Sequence, residues 1–194
     1  MADYSYYIFH KPFGVLSQFT KEVPTHLTLA DYIQLPSDVY PVGRLDKDTE
    51  GLLLLTNDNK LKTTLLDPEQ HKSKTYLAQL DGDISDEALQ QLAEGVTIRV
   101  SKKPYNTRPA KARRLIGYDI ADRDPPVRYR AHIPTSWIQL VITEGKNRQV
   151  RKMCAAVGFP VLRLIRTAIG NLDIKLAAGE LQELTAVQIT KLLA

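Results

Sequence analysis

Four consecutive leucines, Leu52–Leu55, stand between Gly51 and the polar turn Asn57-Asp58-Asn59. The run is continuous rather than alternating and is bounded by turn formers, so residues 51–56 are predicted to form a buried strand. A strand of this kind needs neighbours to cover it. The chain offers apolar or aromatic strand candidates at 4–10, 74–80, 96–100, 110–116, 137–143 and 161–166. Helices are predicted at 29–34 behind Thr28, 60–66, 86–94 behind Ser85, 148–157 and 186–193. Residues 119–135 hold prolines and charges without periodicity and are expected to form a long exposed loop. Strands interspersed with helices, joined by antiparallel hairpins, make an α+β pattern with a mixed, mainly antiparallel sheet.

A length of 194 residues, 43% apolar and 25% charged, suits one globular domain spanning 1–194. No apolar run approaches a membrane span, and the N-terminus lacks the features of a secretory signal. The lone Cys154 fits a reducing compartment, and a cytoplasmic location is expected. The net charge of +4 conceals a marked asymmetry. Between Lys102 and Arg166 there are fifteen Lys/Arg against four Asp/Glu, whereas the rest of the chain holds eleven against eighteen. Such a split predicts one positive surface that meets a polyanion, the plain alternative being a solvated basic face.

The helix predicted at 148–157 has Asn147 as its candidate cap and Val150, Met153, Cys154 and Val157 as an apolar stripe. At about 100° per residue, Arg148 and Lys152 fall opposite that stripe, where they are solvated or meet phosphate. Arg151 falls on the flank, where it is either held partly desolvated or snorkels along the core edge. Cys154 lies in the stripe and reads as a small buried hydrophobe, not a nucleophile.

Ahead of the leucine strand, residues 43–51 gather Asp46, Asp48 and Glu50 with Arg44 and Lys47 between two glycines. Three readings stay open on spacing alone: a divalent-metal site, a carboxylate nucleophile or general base, or an exposed ion-paired turn. Two cations within the loop, and four histidines scattered without ligand spacing, argue against metal.

The string Gly43-Arg44-Leu45-Asp46, continued by Asp48-x-Glu50-Gly51-Leu52-Leu53, resembles the signature of the pseudouridine synthases of the ribosomal small-subunit type. Lys11-Pro12-x-Gly14-Val15-Leu16 resembles that family's first motif and Lys74-Thr75-Tyr76 its second. The run from Glu144 to Met153, continued by Gly158-Phe159-Pro160-Val161-x-Arg163-Leu164-x-Arg166, resembles its third. The blocks occur in the family's order over nearly the whole chain. The stretch from Ile133 to Trp137, with Glu144-Gly145 beyond it, is similar to the E branch of the large-subunit enzymes. The first motif begins at Lys11, so the small RNA-binding domain that many relatives carry ahead of the catalytic one is expected to be absent.

The resemblance implies an isomerase that turns a uridine of structured RNA into pseudouridine, on a two-lobed sheet flanked by helices with a central RNA cleft. It implies Asp46 as the carboxylate that attacks or deprotonates the ribose, Tyr76 as the tyrosine that stacks on the target base, and Arg151 as the aspartate's cationic partner. Arg44 would help hold the flipped nucleotide. Lys11, Lys47, Lys146, Arg148, Lys152, Arg163 and Arg166 complete the expected RNA contacts. No metal or cofactor is implied. The expected partner is 23S ribosomal RNA, free or in an assembling large subunit, with the enzyme a monomer. Another structured RNA, or an RNA-binding assembly module that has lost catalysis, are the alternatives. The physical requirements agree: a partly buried carboxylate stays ionised beside a guanidinium, and a stem uridine must be flipped to be reached.

Overall fold

The structure, a computed structural model, describes residues 4–118, 120–127 and 132–193. In chain order, β1 (Tyr6–Lys11), β2 (Val15–Leu16), β3 (Leu27–Thr28), β4 (Tyr40–Pro41), β5 (Glu50–Thr56) and α1 (Asn59–Leu66) come first. They are followed by β6 (Lys74–Asp81), α2 (Asp86–Glu94), β7 (Thr97–Val100), β8 (Lys103–Asn106), β9 (Lys111–Leu115), β10 (Thr135–Ile142) and α3 (Gln149–Ala156). The chain closes with β11 (Val161–Ile169), β12 (Leu172–Asp173), β13 (Leu181–Glu183) and α4 (Ala186–Leu193). The architecture is α+β with mainly antiparallel pairing, as the sequence pattern requires. Two compact units divide it: residues 1–72 with 166–194, and residues 73–165. Among the described residues no helix is long and apolar enough to cross a membrane.

In the first unit the strand order is β13-β1-β5-β11, and β1 pairs with β5 from Tyr6↔Thr56 to Lys11↔Gly51. The period of two divides the leucine run between two cores. Leu52 and Leu54 pack with Ile8, with Leu61 and Leu65 of α1 and with Leu192 of α4. Leu53 and Leu55 pack with Phe9, Val15, Leu29, Val39 and Leu45. All four leucines are fully buried, because both faces of β5 are covered. At about 25 cal/mol per Å2 of apolar surface, each contributes roughly 2 kcal/mol. Gly51 is demanded by close approach: its φ is +102°, and a Cβ there would lie 2.2 Å from the carbonyl oxygen of Arg166. Asp58 caps α1 by accepting from the amides of Lys60 and Leu61 at 2.9 and 3.0 Å. The helix expected at 29–34 is shorter, a single 3-10 turn at Leu29–Asp31 whose Asp31 carboxylate accepts from the Thr28 amide at 2.8 Å.

In the second unit the order is β11-β6-β10-β9, with β10 paired to β6 and β9 in antiparallel register. Ala88 and Leu92 of α2 and Val150, Met153 and Cys154 of α3 pack with the sheet residues Ala78, Leu80, Ile138 and Leu140. Helix α2 occupies the span expected for it, held at its start by Ser85, whose Oγ accepts from the Ala88 amide at 3.2 Å. Strand β8 was not expected. It pairs with β7 through a tight turn in which Ser101 and Lys102 take φ of 50° and 67°. Of the loop expected at 119–135, residues 119 and 128–131 lie outside the described residues, and the rest up to Pro134 forms neither helix nor strand.

Candidate functional site

The acidic loop of the first unit is fixed by its backbone. Leu45 is buried among the apolar residues below β5, and Ser17 clamps its peptide groups: the Leu45 amide donates to Ser17 Oγ at 3.0 Å, and that hydroxyl donates to the Leu45 carbonyl at 2.9 Å. On the other side, the Lys47 carbonyl accepts from the Gly14 amide at 2.8 Å. The Asp46 carbonyl accepts from the Thr49 amide at 3.0 Å, closing a turn. Asp46 is therefore half-buried between two residues that are both tied to the segment 14–17. Thr49 and Glu50 are buried, and Asp48 is half-buried. Arg44 and Lys47 are exposed on either side of Asp46, where sequence analysis expects RNA contacts.

Lys11 departs from expectation. It is fully buried, and its ammonium donates to the carbonyls of Val15 at 2.7 Å, Pro12 at 2.9 Å and Lys47 at 3.4 Å. Burial lowers its pKa to about 8, against the opposing pull of Glu50, Asp48 and Asp46 and with a further push down from Arg166. An ammonium this enclosed cannot reach a phosphate, so the expectation of direct RNA contact is corrected to a structural role beneath the loop. Arg166, 5% exposed, lies in the same unit and donates from Nε to the Leu52 carbonyl at 2.9 Å. It too is a buried cation where sequence analysis expects an RNA contact.

In the second unit Tyr76 sits on β6 opposite Leu140 and is largely buried in the core. Arg151 on α3 is half-buried, as expected for a flank position, and its Nη1 donates to the Val161 carbonyl at 3.3 Å. Cys154 is fully buried, and desolvation drives its thiol up to about 12 despite the nearby Arg151 charge. It is no nucleophile. Arg163 is 8% exposed and donates to the Ala121 carbonyl at 2.7 Å.

The segment before α3 differs from the expected cap. Arg148, not Asn147, is the N-cap residue, in a left-handed conformation with φ 52° and no side-chain cap bond. Asn147 instead accepts from the Lys152 ammonium through its carbonyl at 2.7 Å. Lys146 and Arg148 remain exposed, and Lys152 is half-buried. Beneath them lies Glu144, 8% exposed, which accepts from the Tyr105 hydroxyl at 2.5 Å, from the Arg108 amide at 2.9 Å and from Gln149 Nε2. Sequence reasoning missed Ser17, which carries no signal of its own. It also missed the Glu144 cluster, where one acid inside a strongly basic stretch was a usable signal.

A family model described as RNA pseudouridylate synthase matches residues 5–156. The chain is 46% identical over 175 residues to the ribosomal large subunit pseudouridine synthase E of Vibrio parahaemolyticus, covering 90% of this chain and 69% of that protein. It is 49% identical over 165 residues to the enzyme of the same name from Xanthomonas campestris, covering 84% and 86% respectively. A solved pseudouridylate synthase superposes with a TM-score of 0.78 at 31% identity, over 99% of this chain and 75% of that one.

Proposed function

The chain belongs to the RNA pseudouridylate synthase family, and from that premise we propose that it isomerises a uridine of 23S ribosomal RNA with Asp46 as the catalytic carboxylate. The observation that carries the role of Asp46 is the double anchoring of its neighbours, Leu45 through Ser17 and Lys47 through Gly14. A reacting carboxylate gains from a backbone that does not have to be ordered at the moment of reaction. Asp48 and Glu50 lie on the same loop, but Glu50 is 2% exposed, which is a poor position for a group that must meet a ribose.

On this reading Asp46 attacks or deprotonates the ribose, the bond from the sugar to N1 breaks, and the freed uracil turns and rejoins through C5. The proton displaced from C5 leaves, and N1 ends protonated, so the reaction is an isomerisation without an external reactant. Tyr76 offers an aromatic face for a flipped base, and Arg151 supplies a guanidinium to the reaction. Arg44 and Lys47, exposed beside Asp46, meet the target strand, and Lys146, Arg148 and Lys152 meet RNA phosphates. The large-subunit substrate is supported by the names of the relatives, which are identical to this chain at nearly half of the aligned positions.

The test is release of tritium from ribosomal RNA whose uridines are labelled at C5. The protein should release it, Asp46→Asn should fold but release none, and mapping of pseudouridine in RNA from cells lacking the protein should reveal one lost site in the large subunit. Undiminished release from Asp46→Asn contradicts the role of Asp46.

A further inference from the structure

Glu144 is the only Asp or Glu between Asp124 and Asp173, and it is nearly buried with three donors converging on it. Tyr105, on the hairpin strand β8, supplies a hydroxyl, Arg108 a backbone amide, and Gln149, the first residue of α3, a side-chain amide. Gln149 does not stop there: its Oε1 accepts from the Lys146 amide at 2.9 Å. The Lys146 ammonium in turn lies 5.0 Å from the centre of the Tyr105 ring. The path from Tyr105 through Glu144 and Gln149 to Lys146 therefore closes on itself. It encloses the turn 145–148, whose side chains at Lys146, Asn147 and Arg148 are exposed.

A solvated basic loop needs none of this. Bringing a carboxylate and a primary amide out of water is favourable only when each is satisfied, and here both are, the carboxylate in part by a half-buried phenol. What the ring of contacts holds in place is a strained loop conformation, with Arg148 at a φ of 52° and no side chain capping the helix. We infer that Glu144, Tyr105 and Gln149 are positioning residues that hold Lys146 and Arg148 in the conformation that grips RNA phosphates. The inference rests on the RNA-contact reading of Lys146 and Arg148 given above.

The chemistry of the pair suits a fixed frame. The Glu144 carboxylate raises the Tyr105 pKa above its ordinary value, so the phenol stays a donor across the neutral range. Two cations held at one spacing lose less freedom on meeting a phosphate chain than two that must be ordered by it. The frame should then appear in RNA affinity and not in turnover of bound RNA.

The experiment compares Tyr105→Phe and Glu144→Gln with Lys146→Ala and Arg148→Ala in the full-length protein. Tyr105→Phe keeps the ring under Lys146 and removes only the hydroxyl. Glu144→Gln keeps an oxygen for the Arg108 and Gln149 amides but sets an NH2 group against the Tyr105 hydroxyl, so the bond from that hydroxyl to a charged carboxylate is lost. Titration with a large-subunit RNA fragment over a salt series and single-turnover rates at saturating RNA are measured for each variant, with thermal melting as the check on folding. Affinity in the two frame variants should fall roughly tenfold, the scale of one lost bond to a charged group. Saturated rates should be unchanged, and either frame substitution combined with Arg148→Ala should weaken binding less than the product of the two single effects. If Arg148→Ala weakens binding while the folded frame variants bind as the parent does, the inference fails and the RNA-contact reading stands. If neither loop nor frame substitutions alter binding, both fail.

Discussion

The ammonium of Lys11 lies 3.4 Å from the carbonyl oxygen of Lys47, the residue that follows Asp46, and no part of it is exposed. With its bonds to the Pro12 and Val15 carbonyls, this makes one buried cation a common fastening for the turn after β1 and for the acidic loop. Lys11→Met keeps an unbranched side chain one atom shorter and leaves three carbonyls without that donor. A loss of about 1–3 kcal/mol in unfolding free energy is expected. Turnover should fall more than RNA affinity. Urea unfolding with parallel binding and rate measurements checks both, and a variant as stable as the parent contradicts the fastening.

The same lysine sets a pH dependence of stability. Its pKa is about 8 in the folded chain and returns to an ordinary value near 10.5 on unfolding. Between those values the unfolded chain holds a proton that the folded chain has released, so this group makes stability rise with pH. Glu50, Asp48, Asp46 and Arg166 are the charges acting on it, and the first three limit the shift. Unfolding measured from pH 7.5 to 10 should therefore show a more positive slope for the parent than for Lys11→Met. Equal slopes would show that Lys11 does not titrate in this range.

Gly51 offers a sharper packing test. A methyl group there would meet the Arg166 carbonyl at 2.2 Å on a backbone with φ +102°. Gly51→Ala should cost about 3 kcal/mol or prevent folding, since overpacking and left-handed strain combine. Gly145, by contrast, has nothing within 4 Å of an added Cβ, and Gly145→Ala should fold with the parent's melting temperature. Thermal melts of the two variants distinguish a specific contact from a general dislike of alanine.

For RNA binding, exposed and buried cations should separate. Arg148→Ala should lower the slope of log affinity against log salt by about 0.7–0.9, the release of one counterion. Lys11→Met should leave that slope unaltered, because its charge is already enclosed by carbonyls. Filter binding over a salt series reads both, and an unchanged slope in Arg148→Ala contradicts its phosphate contact.

The parts of this fold that could be read in the sequence are those set by local pattern. Leu52–Leu55 announced a covered strand because four leucines in a period-two element must place two on each face, and two separate cores receive them. Helix α2 was legible at both ends from the Ser85 cap and the Gly95 stop. The β7–β8 hairpin was not, because Pro104 lacks an amide donor and argues against a strand, whereas β8 forms a two-stranded ribbon in which a missing donor is tolerated. The start of α3 was misread for a similar reason: Asn147 has the right chemistry for a cap, but the chain enters the helix through Arg148. Charge was the least reliable guide. Lys11, Arg163 and Arg166 carry the same charge as Lys146 and Arg148, and only tertiary carbonyl partners reveal which of them are buried. For the site, motif order supplied Asp46, whereas the anchors at Ser17 and Gly14 lie some thirty residues away and have no local signature.

The central claim is that Asp46, held between two anchored neighbours, carries the isomerisation. Tritium release from C5-labelled ribosomal RNA by Asp46→Asn, with melting and RNA affinity measured on the same preparation, tests it most directly. A folded protein that binds RNA as the parent does and releases no tritium is the expected outcome. Release at the parent's rate would contradict it.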